Sequence, residues 1–295
     1  MYQYRAYDLI INSDFEVPEL PEESESAPAD IRVQRSAVKP VTDSIDSTQG
    51  RDIEVTADAC RLTYDTVGTF LVEDGSRIRV DVKDDILETK RFTRLLTNEV
   101  MGILLFQRDY LVLHASAVSV GESGIVFLGK RGAGKSTAAA AFFSKGYPVL
   151  ADDVVAIHLT GDEVTLLPGV PELRLLPDAV DGLKITGTSE PVGDWGPDKR
   201  YRSVSRAEPV PLTQVYILRY GDELTTRPFS GREAVLSLLE STYVQGLLSH
   251  TQTTPDNFSQ CSTVSKAASF DILERPRDHD RLPDMVDFVA DDVRG

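Results

Sequence analysis

The chain has 295 residues, 41% of them hydrophobic and 26% charged, which suits one large core or two modest ones. Forty-seven acidic residues against 31 basic ones leave a net charge of −16, and the basic side chains are 22 Arg and 9 Lys. A surface of that sign repels nucleic acid and anionic membrane, so neither is an expected partner. The Lys-poor, acidic balance fits an ordinary soluble acidic protein and a protein of a high-salt cytoplasm equally well. Cys60 and Cys261 stand far apart in no metal-ligand spacing, as in a reducing compartment. Residues 1–11 carry Arg5 and Asp8 rather than an apolar leader, and the longest apolar runs, such as residues 101–106, fall short of a membrane span. The expected location is cytoplasmic.

Residues 2–11 alternate like a strand, and residues 16–30 have the acidic, Pro- and Ser-rich composition of an exposed loop. Short alternating or β-branched runs follow at 31–38, 53–56, 60–65, 68–72 and 78–82, with Asp74-Gly75 as a hairpin turn between the last two. Residues 1–85 are therefore predicted to form a small antiparallel β-rich unit. From residue 85 the period changes: Phe92, Leu95, Leu96, Val100, Ile103 and Leu104 recur at three and four residues, an amphipathic helix. Residues 86–109 are the expected bridge into a second unit, residues 110–295. In that unit, strands are predicted at 110–120, 125–128, 149–157, 164–167, 211–219 and 267–273. Helices are predicted from 138 to 145, stopped by Gly146-Tyr-Pro148, and over 232–250, 255–266 and 283–293. Residues 168–177 read as a Pro-punctuated extended piece, and 187–198 as a Gly- and Pro-rich loop holding Trp195.

The chemistry concentrates after residue 124. Gly129, Lys130, Arg131, Gly132, Ala133, Gly134, Lys135 and Ser136 satisfy the phosphate-binding pattern G-x-x-x-x-G-K-[ST], with Thr137 next. An apolar run precedes the pattern and a helix-forming alanine run follows it. A strand entering glycines and then a helix aims backbone N–H groups and the helix dipole at one spot, and glycines let the backbone wrap closely around phosphate oxygens. Lys135 would reach the outer phosphates of ATP, and the Ser136 hydroxyl would help hold Mg²⁺. Seventeen and 18 residues after Lys135, the apolar run at 150–155 carries two adjacent carboxylates, Asp152 and Asp153. Neighbours on a strand face opposite ways, so the two cannot share a job: one can hold Mg²⁺ beside Ser136 while the other takes the proton of an attacking hydroxyl. His114 sits in an otherwise apolar strand, where a lone histidine is more often a packed residue than a catalyst. Lys199-Arg200-Tyr-Arg202, after the Trp195 loop, is a local basic exception. It reads either as a solvated loop end or as a flap that closes over the γ-phosphate with Trp195 excluding water.

His114-Ala-Ser-Ala-Val, Gly129-Lys-Arg-Gly-Ala-Gly-Lys-Ser136 and Gly146-Tyr-Pro-Val-Leu-Ala-Asp-Asp153 together, in this order and spacing, resemble the catalytic domain of the HPr kinase/phosphorylase family. The match is firm over residues 110–158. More loosely, residues 167–178 and Lys199-Arg200 are similar to stand-alone members, among them peptide serine kinases of lasso-peptide-type pathways. The resemblance implies an α/β fold, a P-loop HPr kinase-like catalytic domain preceded here by the antiparallel β-rich unit. It implies an ATP- and Mg²⁺-dependent kinase acting on a serine of a peptide or small protein. Asp153 matches the acid/base position, Asp152 stands beside it as the expected metal ligand with Ser136, and His114 supports the site. Glu172 and Asp178 are candidates for a further acidic ligand, and Thr137 stands where the family often has Glu. Members of the family are often oligomeric, so a homo-oligomer is compatible with the resemblance. The competing readings are a kinase of a small hydroxylated metabolite and a non-catalytic ATP-binding regulatory module.

Overall fold

The computed structural model describes residues 1–48, 50–56, 58–189, 199–205, 207–244 and 253–294. The chain is α/β and divides into two compact units, Met1–Val112 with Val244–Asp256, and Leu113–Tyr243 with Asn257–Gly295.

In the first unit eight strands, β1 (Tyr2–Ala6), β2 (Leu9–Ser13), β3 (Ile31–Arg35), β4 (Asp46–Thr48), β5 (Arg51–Val55), β6 (Ala59–Tyr64), β7 (Gly68–Glu73) and β8 (Arg77–Val82), form one sheet in the order β1-β2-β3-β8-β7-β6-β5-β4. The anticipated antiparallel β-rich unit is present, with one departure: β3 pairs in parallel with both β2 and β8. The acidic stretch after β2 supplies the long return that a parallel neighbour requires. Alternation along β6 and β8 buries Cys60, Leu62, Tyr64, Ile78, Val80 and Val82, and Phe70 stacks on Phe92 with ring centroids 5.8 Å apart. Phe92 belongs to the anticipated helix, which runs as Asp84–Leu87, Lys90–Leu95 and Met101–Gln107 with a π turn at Leu96–Val100. All six residues of its apolar stripe are buried.

The chain leaves the first unit within β9 (Leu111–Leu113), and the second unit continues through β10 (Ser116–Val120), β11 (Ser123–Leu128), β12 (Val149–Asp152), β13 (Val155–Thr160), β14 (Glu163–Leu167), β15 (Glu172–Leu175), β16 (Arg200–Ser203), β17 (Val210–Tyr220), β18 (Thr225–Pro228) and β19 (Ser269–Arg275). Strands β12, β10, β11, β17, β14 and β13 follow one another across the main sheet, and β19 pairs with both β17 and β18. β11, β17 and β19 are parallel, so their carboxyl ends share one edge. β15 and β16 form a separate antiparallel hairpin.

Two predicted strands are interrupted, and both breaks fall on candidate site residues. The strand expected over 110–120 parts at His114, whose N–H donates instead to the Ser241 carbonyl at 2.7 Å. The strand expected over 149–157 stops at Asp152, because Asp153 takes a left-handed backbone with φ of 73°. The helix at Arg232–Ser241 ends where Thr242 becomes extended; the rest of the helix predicted to residue 250 lies outside the described residues from 245 onward. The helices Thr254–Ala267 and Leu282–Arg294 match their patterns, and Pro177–Gly182 adds a short helix where no element was predicted.

The P-loop helix, Lys135–Ser144, is buried nearly all round, which explains why its alanines show no amphipathic stripe. Ala138 to Ala141 let it lie close to the sheet, and its Phe142 packs against Phe127 at 5.6 Å and Tyr147 at 5.4 Å. Gly146, at φ of 86°, ends it with its N–H on the Phe143 carbonyl. Phe142→Ala removes a fully buried ring from this contact. It is expected to cost about 3–5 kcal/mol in urea denaturation, and a loss below about 1 kcal/mol would contradict the packing account.

Candidate active site

β11 delivers the chain into the phosphate-binding loop at Leu128. Gly129, Gly132 and Gly134 have φ of 149°, 84° and 90°, a region that side chains disfavour. Two of them are also held by crowding: a Cβ on Gly129 would meet the Ala133 Cβ at 2.9 Å, and one on Gly134 would collide with Nη2 of Arg275. Lys130, Arg131 and Ala133 complete the turn, with Ala133 N–H on the Lys130 carbonyl at 3.0 Å. Gly134 then caps the P-loop helix without any side-chain acceptor for its first amides. Those donors and the helix dipole are left facing the loop, an arrangement suited to an anion. Lys135 folds back over the loop, its Nζ donating to the Gly129 carbonyl at 2.9 Å. Burial lowers its pKa; Asp153 and Asp152 oppose that shift, and Lys199 adds to it. Ser136 and Thr137 are half-buried, and the Ser136 hydroxyl has no hydrogen-bond partner among the described residues.

Asp152 closes β12 opposite Ser116 of β10. Its Oδ1 accepts from the Ser116 hydroxyl at 2.7 Å, and its Oδ2 accepts from the Arg174 backbone N–H at 3.1 Å. Desolvation raises its pKa, the neighbouring Asp153 raises it further, and the Ser116 and Arg174 contacts work the other way. The left-handed turn at Asp153 swings the second carboxylate out of the strand, so the turn, and not strand alternation, separates the two acids. Asp153 Oδ2 meets Arg174 Nη2 at 2.6 Å, with its side chain 19% exposed. Burial acts against the Arg174 charge, but Asp153 and Asp152 outweigh it and the net pKa is raised.

His114 stands at the break between β9 and β10, its ring 6.2 Å from that of Tyr243. The residue is exposed, yet surrounding protein desolvates the ring enough to lower its pKa; Asp153 opposes, and Lys135 reinforces the shift. The structure thus brings His114, Lys135, Asp152 and Asp153 into one electrostatic cluster beside the loop. Arg174 is the member that sequence reasoning missed. Its signal was a lone arginine in the apolar alternation Leu173-Arg-Leu175, and it is 4% exposed. Glu172 shares Arg174's face of β15 by strand alternation, whereas the Asp178 Oδ1 accepts from the Ala179 N–H at 2.9 Å. Among the described residues no three His, Cys, Asp or Glu side chains gather into a metal cluster. Lys199 lies close enough to act on Lys135, while Arg200 and Arg202 belong to β16 rather than to a loop, and Arg202 lies over the Phe143 ring. Trp195 lies outside the described residues.

No family model matches the chain. Over 103 residues it is 34% identical to the HPr kinase/phosphorylase of Geobacillus thermodenitrificans and 35% identical to that of Bacillus licheniformis, covering 35% of this chain. The matched stretch spans about a third of the length of those relatives, 32% of each. A solved structure of the HPr(Ser) kinase/phosphatase from Coxiella burnetii aligns with 62% of this chain and 95% of its own at 11% identity and a TM-score of 0.33, too loosely to carry an argument. The curated relatives bear out the resemblance to the HPr kinase/phosphorylase family. No helix among the described residues is long and apolar enough to cross a membrane.

The electrostatics of the cluster can be read from His114. Its NMR titration midpoint should lie below the ordinary 6.5, and Asp153→Asn should lower it further by removing the charge that most favours the imidazolium. A midpoint at or above 6.5, or a rise in the variant, would contradict this placement.

Proposed function

We propose that the chain is an ATP- and Mg²⁺-dependent phosphotransferase that moves a phosphoryl group onto a serine hydroxyl of a peptide or small protein. The observation that carries this reading is the Asp153 carboxylate, paired with Arg174 beside Lys135 at the P-loop. A module that only sensed ATP would need a metal ligand but no second, separately oriented carboxylate. In the relatives' own names the acceptor is HPr, a protein, which favours a macromolecular acceptor over a free metabolite.

The residues divide the work as follows. Loop amides from residues 129–137 and the Lys135 ammonium hold the phosphates and neutralise their charge. Ser136, whose hydroxyl is uncommitted, and Asp152, which keeps unused lone pairs, are the groups that would hold Mg²⁺. An ion bound through few protein ligands, with phosphates and waters completing its shell, is the usual habit of Mg²⁺ and fits the lack of a three-acid cluster among the described residues. When bound it would supply further charge neutralisation at the phosphates. Asp153 accepts the proton of the serine hydroxyl as its oxygen bonds to the γ-phosphorus and the bond to the bridging oxygen breaks, releasing ADP. Arg174 keeps Asp153 ionised and aimed, and His114 stays neutral beside it. The net charge of −16 disfavours an acidic acceptor, so a neutral or basic peptide is the better fit.

Transfer from γ-labelled ATP to peptides, with free serine and water as controls, tests the class of acceptor. Asp153→Asn should keep MgATP affinity within about threefold and lose roughly 10²–10⁴-fold in transfer rate. Lys135→Ala should lose on the order of 1.5–3 kcal/mol of MgATP binding by calorimetry while remaining folded. Unchanged ATP affinity in folded Lys135→Ala, or full transfer by Asp153→Asn, would overturn the assignment.

A further inference from the structure

Sheet order gives the P-loop two different sides. On one, β12 ends in Asp152 with Asp153 in the turn after it; on the other, β17 and β19 run parallel to β11 and end in Tyr220 and Arg275, paired across the two strands. In an open sheet, ligands gather at the carboxyl edge of parallel strands, which is where these residues and the P-loop lie. Arg275 is 3% exposed, yet it forms no ion pair among the described residues. Its Nη1 donates to the Pro276 carbonyl at 3.2 Å and its Nε is buried with no hydrogen-bond partner among the described residues. Nη2 is packed against the Cα of Gly134, the residue that caps the P-loop helix. The Tyr220 hydroxyl donates to the Gly132 carbonyl at 3.2 Å, and its ring carries two guanidinium groups, Arg275 at 5.0 Å and Arg277 at 4.4 Å from the centroid.

A buried guanidinium without a carboxylate is costly, and the exposed Arg277 guanidinium against the same ring repels it. Desolvation lowers the Arg275 pKa, Tyr220 opposes the shift, and Arg277 adds to it. Within a chain of net charge −16, two arginines without an ion pair among the described residues, at the cap of an anion-binding helix, mark a place where negative charge is missing. We propose that Arg275 and Arg277, ordered by Tyr220, bind the non-transferred phosphates of the nucleotide, so that the triphosphate lies across the sheet edge with its γ end toward Asp153 and its nucleoside end toward β19. This rests on the nucleotide-binding reading above and adds the direction in which the nucleotide lies. Lys135 serves the transferring end, and the two arginines serve the α- and β-phosphates that remain on ADP. Gly134 is then required twice over, because any side chain there would displace the Arg275 guanidinium.

Calorimetry on the full chain with MgATP, MgADP and adenosine tests the proposal. Arg275→Gln should raise the Kd of ATP and ADP by a common factor of roughly 10, and Arg277→Gln by a common factor of about 3, with adenosine unaffected. Arg275→Lys should recover part of the loss. Circular dichroism establishes that each variant is folded, and exposed Arg277 keeps the test available if Arg275→Gln does not fold. Loss for ATP but not ADP would place the cations at the γ end and overturn the direction. Unchanged Kd values in folded variants, with the wild-type chain binding MgATP, would overturn the inference alone; no MgATP binding by the wild-type chain would overturn the nucleotide reading itself.

Discussion

The Arg174 guanidinium makes a pair of adjacent carboxylates tenable at the end of β12. Two acids side by side in a desolvated setting repel each other and hold on to protons, and Asp152 shows this in its raised pKa. Arg174 answers with two different groups: its backbone N–H goes to Asp152 and its side chain to Asp153. One residue of the β15–β16 hairpin therefore fixes both acids. Ser116 completes the arrangement from β10, which is why the strand after His114 must resume in register with β12. The isolated worth of such a buried pair is small or unfavourable, but loss of either partner leaves a buried charge uncompensated. Its value lies in holding geometry.

The same logic applies on the opposite side of the P-loop, where the charges are unbalanced. Asp153 has its arginine, whereas Arg275 has no carboxylate partner among the described residues. The contrast follows from topology. β11 lies between β10 and β17, so residues brought by β12 and by β19 reach the loop from opposite flanks. The P-loop helix can lie tightly on this sheet because four consecutive alanines face its neighbours, and that close approach sets the height of Lys135 and Ser136 relative to the acids.

Much of this was legible in the sequence, and the rest failed for definite reasons. The phosphate loop is a local device, written in glycines whose φ values no other residue adopts readily, so Gly129, Gly132 and Gly134 could be read directly. The Asp152–Asp153 pair is visible too, but the apolar run predicts a continuous strand, whereas a left-handed residue at 153 does the separating. Periodicity cannot report such a break, since Val154 and Val155 prolong the apolar run. Arg174 was overlooked because an arginine in a Pro-flanked segment reads as exposed until a second segment is known to bring it two carboxylates. Arg275 and Tyr220 meet only through the parallel pairing of residues 55 positions apart in the chain, information that no local window holds. The parallel position of β3 in the first unit was missed on the same ground.

The central claim is that one P-loop holds a nucleotide between an acid pair and a pair of arginines that form no ion pair among the described residues. A crystal structure with Mn²⁺ and a non-hydrolysable ATP analogue addresses it most directly, because anomalous scattering locates the metal independently of the phosphates. The account predicts Mn²⁺ against the Ser136 hydroxyl, the γ-phosphate on the Asp153 side of Lys135, and the α-phosphate within hydrogen-bond distance of Arg275 or Arg277. A triphosphate bound away from the P-loop, or one lying in the opposite direction with its γ end against Arg275, would contradict it.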